Sequence, residues 1–219
     1  FVRCADAESA VRGSRAVILP LPATADGVRV NCRQADGALP LARCELRLTR
    51  LMEMMPPGCL LLAGMPGDLL RAMAREANIT LIDYYDCESV QIRNAVPTAE
   101  GAVALAMNAL PVTIFGSDCT VLGYGRIGRR LASILHALGA HVTVAARSDR
   151  DLCQAEISGC TARPLSEFLA MPGQPDVLFN TIPAPVLTRA AMERLPASSI
   201  YIELASAPGG IEASAVKLC

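Results

Sequence analysis

Hydrophobic positions along this chain follow two alternating rhythms. Short apolar runs of strand length are separated by stretches in which apolar residues recur every three or four positions, the spacing of one helix face. The first run covers 15–20 and is followed by a loop over 21–27. A second strand is predicted at 59–62, then a turn at 64–67, then a helix with Leu69, Leu70, Met73 and Ala77 on one face. Asn78 suits the end of that helix, and 79–82 is a third strand. The next helix is predicted to begin near Pro97, because proline, Thr98 and Glu100 all favour a first turn. It should run over 98–110 with Val103, Met107 and Leu110 as its apolar stripe.

The second half repeats the alternation more clearly. A strand at 119–122 leads into a glycine-rich turn. Ile127, Leu131, Ile134, Leu135 and Leu138 then carry helical spacing up to Gly139. Strands follow at 141–145, weakly at 161–164, and strongly at 176–180 and 200–204. Ser148 is placed to cap a helix over 149–157, and Thr188 to start another. Strands alternating with helices predict an α/β fold with parallel sheets. Two domains are expected: 1–97, which lacks an opening βα unit and is expected to be incomplete, and 98–219, entered through the linking helix 98–110.

Composition narrows the function classes. Of 219 residues, 52% are hydrophobic and 19% charged, which excludes a disordered or polyionic chain. Lys and Arg number 20 against 21 Asp and Glu, so no basic excess recommends nucleic acid or a membrane surface as partner. The longest apolar run, 59–65, is too short to span a bilayer, and no signal-peptide pattern opens the chain. Nine cysteines include no C-x-x-C pair, and the only histidines are His136 and His141, so no metal site is expected. The cysteines are expected to be reduced, mostly small buried hydrophobes of a cytoplasmic protein. Both histidines are expected to be structural, with His136 packed in its helix.

The turn after 119–122 holds the candidate chemistry. Gly123, Tyr124, Gly125, Arg126, Ile127 and Gly128 form G-x-G-x-x-G between a strand and an amphipathic helix, with a second strand about 20 residues on. That is the Rossmann context for a dinucleotide: a tight turn, close approach of pyrophosphate, and close helix–sheet packing. At the end of the following strand, NAD sites place a carboxylate against the adenosine ribose. Ala146, Arg147 and Ser148 stand there instead, so NADP is favoured over NAD. Asn180, Thr181, Ile182 and Pro183 follow one later strand, and Leu204, Ala205 and Ser206 the next. Ligands bind beyond the carboxyl ends of such strands, so these loops are expected at the nicotinamide end.

Five segments carry a resemblance: Asn94-Ala-Val-Pro-Thr-Ala-Glu-Gly101, Val121-Leu-Gly-Tyr-Gly-Arg-Ile-Gly128, Val142-Thr-Val-Ala-Ala-Arg147, Phe179-Asn-Thr-Ile-Pro183 and Glu203-Leu-Ala-Ser-Ala-Pro-Gly-Gly210. They resemble the dipicolinate synthase A-subunit family, most strongly from about residue 79 onward. Against that family the chain looks shortened at both ends. The resemblance implies a flavodoxin-like first domain, a linking helix and a Rossmann domain. It also implies oxidation of dihydrodipicolinate, or a hydrated precursor, to dipicolinate, with a nicotinamide cofactor as acceptor. The implied partner is a flavoprotein-like B subunit, and the implied location is the cytoplasm of a sporulating mother cell; a homo-oligomer stays open.

Such a reaction needs a clamp for two carboxylates. Thr24, Arg93, Asn94 and Ser206 are the substrate-side candidates, with Arg93 and Asn94 expected just before the linking helix. No catalytic residue is identified: Asp26 and Glu203 are the remaining candidates for a base, or water takes the proton. A shikimate-type reductase would be expected to use a Lys–Asp pair, and the sole lysine is Lys217. A cofactor-binding but catalytically silent subunit fits the same residues.

Overall fold

A computed structural model of the protein describes residues 4–31, 46–212 and 215. Two compact units divide it, Phe1–Gln91 and Ile92–Cys219.

In the first unit, α1 (Ala7–Val11) is followed by β1 (Ala16–Ile18), α2 (Leu48–Met54), β2 (Leu60–Ala63), α3 (Asp68–Glu76) and β3 (Leu81–Asp83). The three strands make one parallel sheet in the order β1-β2-β3, with Val17 opposite Leu61 and Leu61 opposite Leu81. Leu48 and Leu51 of α2, Leu61 and Ala63 of β2, and Leu70 and Ala74 of α3 form its core with Val11 and Leu19. Of the expected face Leu69, Leu70, Met73 and Ala77, Leu70 is buried and Met73 packs against the core, while Ala74, one turn from Leu70, takes the place of Leu69 and Ala77. Leu69 lies a third of a turn off that face and is exposed, while Ala77 is already the C-cap. Asn78 does stop the helix, at φ 54, with the Ile79 amide donating to Ala74 O at 2.8 Å.

The helix expected to start near Pro97 starts earlier. It is α4 (Glu88–Ala109), with Pro97 in its interior and the division between the units inside it. An interior proline loses the bond to the carbonyl one turn back, at a cost of about 3 kcal/mol. Burial of a continuous small-residue face offsets that loss: Ala95, Ala99, Ala102, Val103 and Ala106 are all buried. The Thr98 hydroxyl donates to Asn94 O at 2.9 Å, so it bonds back into the helix instead of capping it. Met107 faces outward, half exposed, and is not part of the stripe.

The second unit continues with β4 (Asp118–Leu122), α5 (Arg126–Ala137), β5 (His141–Ala146), α6 (Asp149–Ile157), β6 (Thr161–Pro164), α7 (Leu165–Ala170), β7 (Val177–Asn180), α8 (Arg189–Met192) and β8 (Ile200–Glu203). All five strands are parallel, in the order β6-β5-β4-β7-β8. The chain thus builds outward from β4 on one side, then returns and builds outward on the other. Successive residues of β4 and β7 serve opposite faces. Val121 and Phe179 enter the core that also holds Ala99, Val103, Leu131, Leu135 and Val144. Leu122 and Leu178 enter the other, with Leu165, Phe168 and Leu187. The short helix α7 has no counterpart among the expected elements.

Ser148 caps α6, accepting from the Asp151 amide, and Thr188 caps α8, accepting from the Ala191 amide. His136 packs from outside and stays exposed, rather than lying buried in its helix. It lies on the outer surface of α5 and covers the Cα side of Gly159, where a Cβ would fall 2.9 Å from the ring. His141 opens β5, exposed. Among the described cysteines, Cys59, Cys119 and Cys160 are buried as expected, but Cys4, Cys87 and Cys153 are exposed. Among the described residues, no helix is long and apolar enough to cross a membrane.

Candidate dinucleotide site

The reversal of strand order falls between β4 and β7. Ligands of open α/β sheets bind at such a point. The loop after β4 is fixed on both sides. The Gly123 amide donates to Ala145 O at 2.8 Å, and both the amide and the hydroxyl of Thr181 donate to Leu122 O, at 3.0 and 2.8 Å. Gly123 adopts φ 89, open to glycine at little cost, and a Cβ there would sit 2.7 Å from Thr181 Oγ1 and 2.9 Å from Ile182 Cγ1. A Cβ on Gly128 would strike the carbonyl of Gly123. Gly125, by contrast, faces open space within 4 Å. It is the N-cap of α5 and, being glycine, brings no side-chain cap of its own to that helix end. These are the features a pyrophosphate needs: a bare backbone, free space, and a helix N-terminus directed at it.

The other expected cofactor residues fall into three groups. Arg126 is exposed and Ile127 half-buried at the start of α5, while Tyr124 is buried under Arg129. Arg129 donates from Nε to Tyr124 O at 2.8 Å and from Nη2 to Asp151 Oδ1 at 2.9 Å, so it joins the glycine turn to the first turn of α6. Ala146 ends β5 with its methyl in the core, and Arg147 and Ser148 stand exposed just beyond it. Thr181 and Ile182 line the glycine turn, and Pro183 is exposed beyond them.

Asn180 differs from expectation. Its side chain is completely buried, and both ends are used within the protein. Oδ1 accepts from the Ile182 amide at 3.1 Å, and Nδ2 donates to Ile182 O at 3.0 Å and to Glu203 Oε1 at 2.8 Å. It shapes the loop rather than facing a ligand. Leu204 and Ala205 are half-buried, with the Ala205 amide bonded to Glu203, and Ser206 is exposed.

Glu203 is no free base. Burial pushes its carboxyl up, but hydrogen bonds from Tyr201, Gly210, Asn180 and Ala205 outweigh that and hold it below the ordinary value. In the first unit, the amides of Arg29 and Val28 are the main cause holding Asp26 at about 2, so it too stays an acceptor near neutral pH. Thr24 accepts from the Gly27 amide at 2.9 Å and donates to Asp26, which places it in the framework of the same loop. Arg93 and Asn94 lie within α4, not ahead of it, because the helix begins at Glu88. The sequence reading missed Arg129 and the four-fold role of Glu203. The first had only helical spacing as a signal; the second depended on knowing that 180 and 203 end adjacent strands.

Residues 1–85 match the family described as the N-terminal domain of the dipicolinate synthase A subunit. Residues 93–205 match the D-isomer specific 2-hydroxyacid dehydrogenase, NAD binding domain. The dipicolinate synthase A subunit of Bacillus subtilis (strain 168) is 29% identical over 211 residues, covering 96% of this chain and 69% of that protein. The crystal structure of the dipicolinate synthase A subunit from Bacillus halodurans superposes with a TM-score of 0.77 at 29% identity, covering 93% of this chain and 68% of that one. Its counterpart from Bacillus subtilis gives a TM-score of 0.74 at 28% identity, covering 93% and 66%. The chain thus spans about two thirds of the length of these relatives. With an NAD(P)-binding oxidoreductase fold built around the turn after β4, and with its first 85 residues similar to the N-terminal domain of the dipicolinate synthase A subunit, the chain belongs to the family of the D-isomer specific 2-hydroxyacid dehydrogenase, NAD binding domain.

Proposed function

We propose that this chain carries out an NADP-linked oxidation of dihydrodipicolinate, or its hydrated precursor, to dipicolinate, within a two-subunit dipicolinate synthase of which it is the A subunit. The observation that carries the cofactor part is the pair of segments at the ends of β4 and β5. One offers a bare backbone for pyrophosphate; the other ends in Ala146 and Arg147, where an NAD site would place a carboxylate at the strand end. The substrate, the partner B subunit, the cytoplasm of a sporulating cell and the hydrogen stoichiometry come from the relatives' family. One ring carbon of dihydrodipicolinate gives up a hydride and a neighbouring position a proton, the hydrated precursor also losing one water, and aromatisation favours that direction. A bound nicotinamide supplies the hydride acceptor.

The chain's own contribution is orientation. Gly123 to Gly128 receive the pyrophosphate, Arg147 and Ser148 meet the adenosine end, and Thr181, Ile182, Leu204 and Ala205 shape the nicotinamide end. Within the second unit, Arg93, Asn94 and Ser206 remain the proposed contacts for the carboxylates, since guanidinium, amide and hydroxyl donors all serve carboxylate oxygens. The proton goes to water in this reading, because Asp26 and Glu203 are both committed acceptors. That same commitment favours a second reading, a cofactor-binding subunit that is silent by itself. Ultraviolet absorbance of the pyridine product separates the two. The first reading expects turnover by this chain with NADP present. The second expects turnover only once the flavoprotein-like partner is added.

A further inference from the structure

Glu203 stands at the end of β8 and receives four hydrogen bonds from three separate pieces of chain. Oε1 accepts from Asn180 Nδ2 at 2.8 Å and from the Ala205 amide at 2.9 Å. Oε2 accepts from the Tyr201 hydroxyl at 2.6 Å and from the Gly210 amide at 2.7 Å. Asn180 closes the loop after β7 through its two bonds with Ile182. Gly210 lies flat against the Asn180 amide, so closely that a Cβ would overlap it, and its carbonyl accepts from the Leu187 amide at 2.8 Å. The loops leaving β7 and β8 therefore share one carboxylate as their common anchor. Ile182, held by this anchor, is also the residue that packs beside Gly123.

We infer that Glu203 is a positioning residue for the cofactor's nicotinamide half: its carboxylate, shared between Asn180 and the Ala205 and Gly210 amides, sets the two loops in place before the ligand arrives. Only an acceptor at both oxygens satisfies this arrangement. A carboxamide would turn an NH₂ toward two donors and leave them unpaired. The inference rests on the dinucleotide reading of the site and assigns Glu203 no contact with the reacting atoms.

Because the loops lie beyond β7 and β8, while the adenosine end lies beyond β5, the effect should be confined to one half of the ligand. The test is calorimetric titration of the full chain and of Glu203→Gln with intact NADP and with adenosine 2′,5′-bisphosphate, which lacks the nicotinamide half. Glu203→Gln should bind intact NADP about tenfold more weakly and bind the bisphosphate as the parent does. A purely structural role would weaken both ligands together, or neither, and either outcome overturns the inference. Failure of the parent chain to bind either ligand overturns the dinucleotide reading and this inference with it; equal NADP affinity in parent and variant overturns this inference alone. Tyr201→Phe removes one donor while keeping the ring. It should weaken NADP about two- to threefold with bisphosphate binding unchanged, and it decides the matter if Glu203→Gln does not fold.

Discussion

Gly125 and Gly128 stand in the same turn, yet alanine at the two positions should fail in opposite ways. A Cβ on Gly128 meets the Gly123 carbonyl, 3.0 Å from its carbon, and lies 3.3 Å from Thr181 Oγ1. The obstruction is backbone, pinned through Gly123 N to Ala145 O, so it cannot swing aside as a side chain would. Overpacking of this kind costs about 1–3 kcal/mol, and contact with fixed backbone puts it near the upper end. Alanine returns about 1 kcal/mol as the better helix former, leaving a net loss of about 2 kcal/mol. In a unit of this size that lowers Tm by about 5–10 °C. At Gly125 the added methyl meets nothing within 4 Å, and φ −76 with ψ −159 is open to any residue. Gly125→Ala should therefore hold its stability to within about 1 kcal/mol. The methyl instead occupies the room through which a phosphate reaches the first-turn amides, and affinity for NADP should fall roughly 100-fold. Thermal unfolding without cofactor reads the first effect, and calorimetric titration reads the second. If Gly125→Ala melts as early as Gly128→Ala, or binds NADP as tightly as the parent, the assignment of the free space to a ligand is refuted.

Arg147→Ala should erase most of a preference for NADP over NAD of at least roughly tenfold and leave NAD binding nearly unchanged; titration of both cofactors against both proteins reads this directly. Both carboxyls held below their ordinary values contribute stability that is complete above the ordinary range and is lost as pH falls through it. For Asp26 the window runs from 3.8 down to about 2, and for Glu203 it opens below 4.5. Acid unfolding followed by circular dichroism should accordingly be less steep in Asp26→Asn and Glu203→Gln; a slope unchanged in both variants would contradict the assigned hydrogen bonds. Asp83 accepts from the Met65 and Tyr85 amides and from Arg71 at 2.7 Å. Asp83→Ala should destabilise the first unit by about 1–3 kcal/mol in urea unfolding, and a loss below about 0.5 kcal/mol would show the cluster to be idle.

The strand–turn–helix around Gly123 was legible because its signals are local: an apolar run, three glycines at fixed spacing, and helical periodicity up to Gly139. The caps at Ser148 and Thr188 were legible for the same reason. The start of α4 was not, because Pro97 is a strong local signal for a first turn and the alanine face that overrides it gains only from packing. Leu69 and Met107 misled in a related way, since hydrophobicity marks a candidate face and only the sheet beneath selects it. The bond from Asn180 to Glu203 depends on β7 lying beside β8, a fact of topology that no window of sequence contains, whereas Tyr201, Ala205 and Gly210 are its neighbours along the chain. Asn180 was placed at the right spot with the wrong task, because a loop asparagine and a buried one look alike until the neighbouring strand is known.

The position of β4 also has a bearing on how the chain folds. Its first neighbour, β5, is reached through a single helix, so β4, α5 and β5 can assemble on contacts close in sequence. Its second neighbour, β7, arrives much later. The bond from Thr181 Oγ1 to Leu122 O closes a separation of 59 residues. Loop-closure entropy must be overcome before such a contact contributes, which makes it a slow event. Until it forms, Val121 and Leu122, wholly buried in the finished protein, have one strand beside them instead of two. A refolding or newly synthesised chain therefore passes through an interval in which one edge of its central strand is open to other chains, and that is the stage at which concentration should most strongly set the yield.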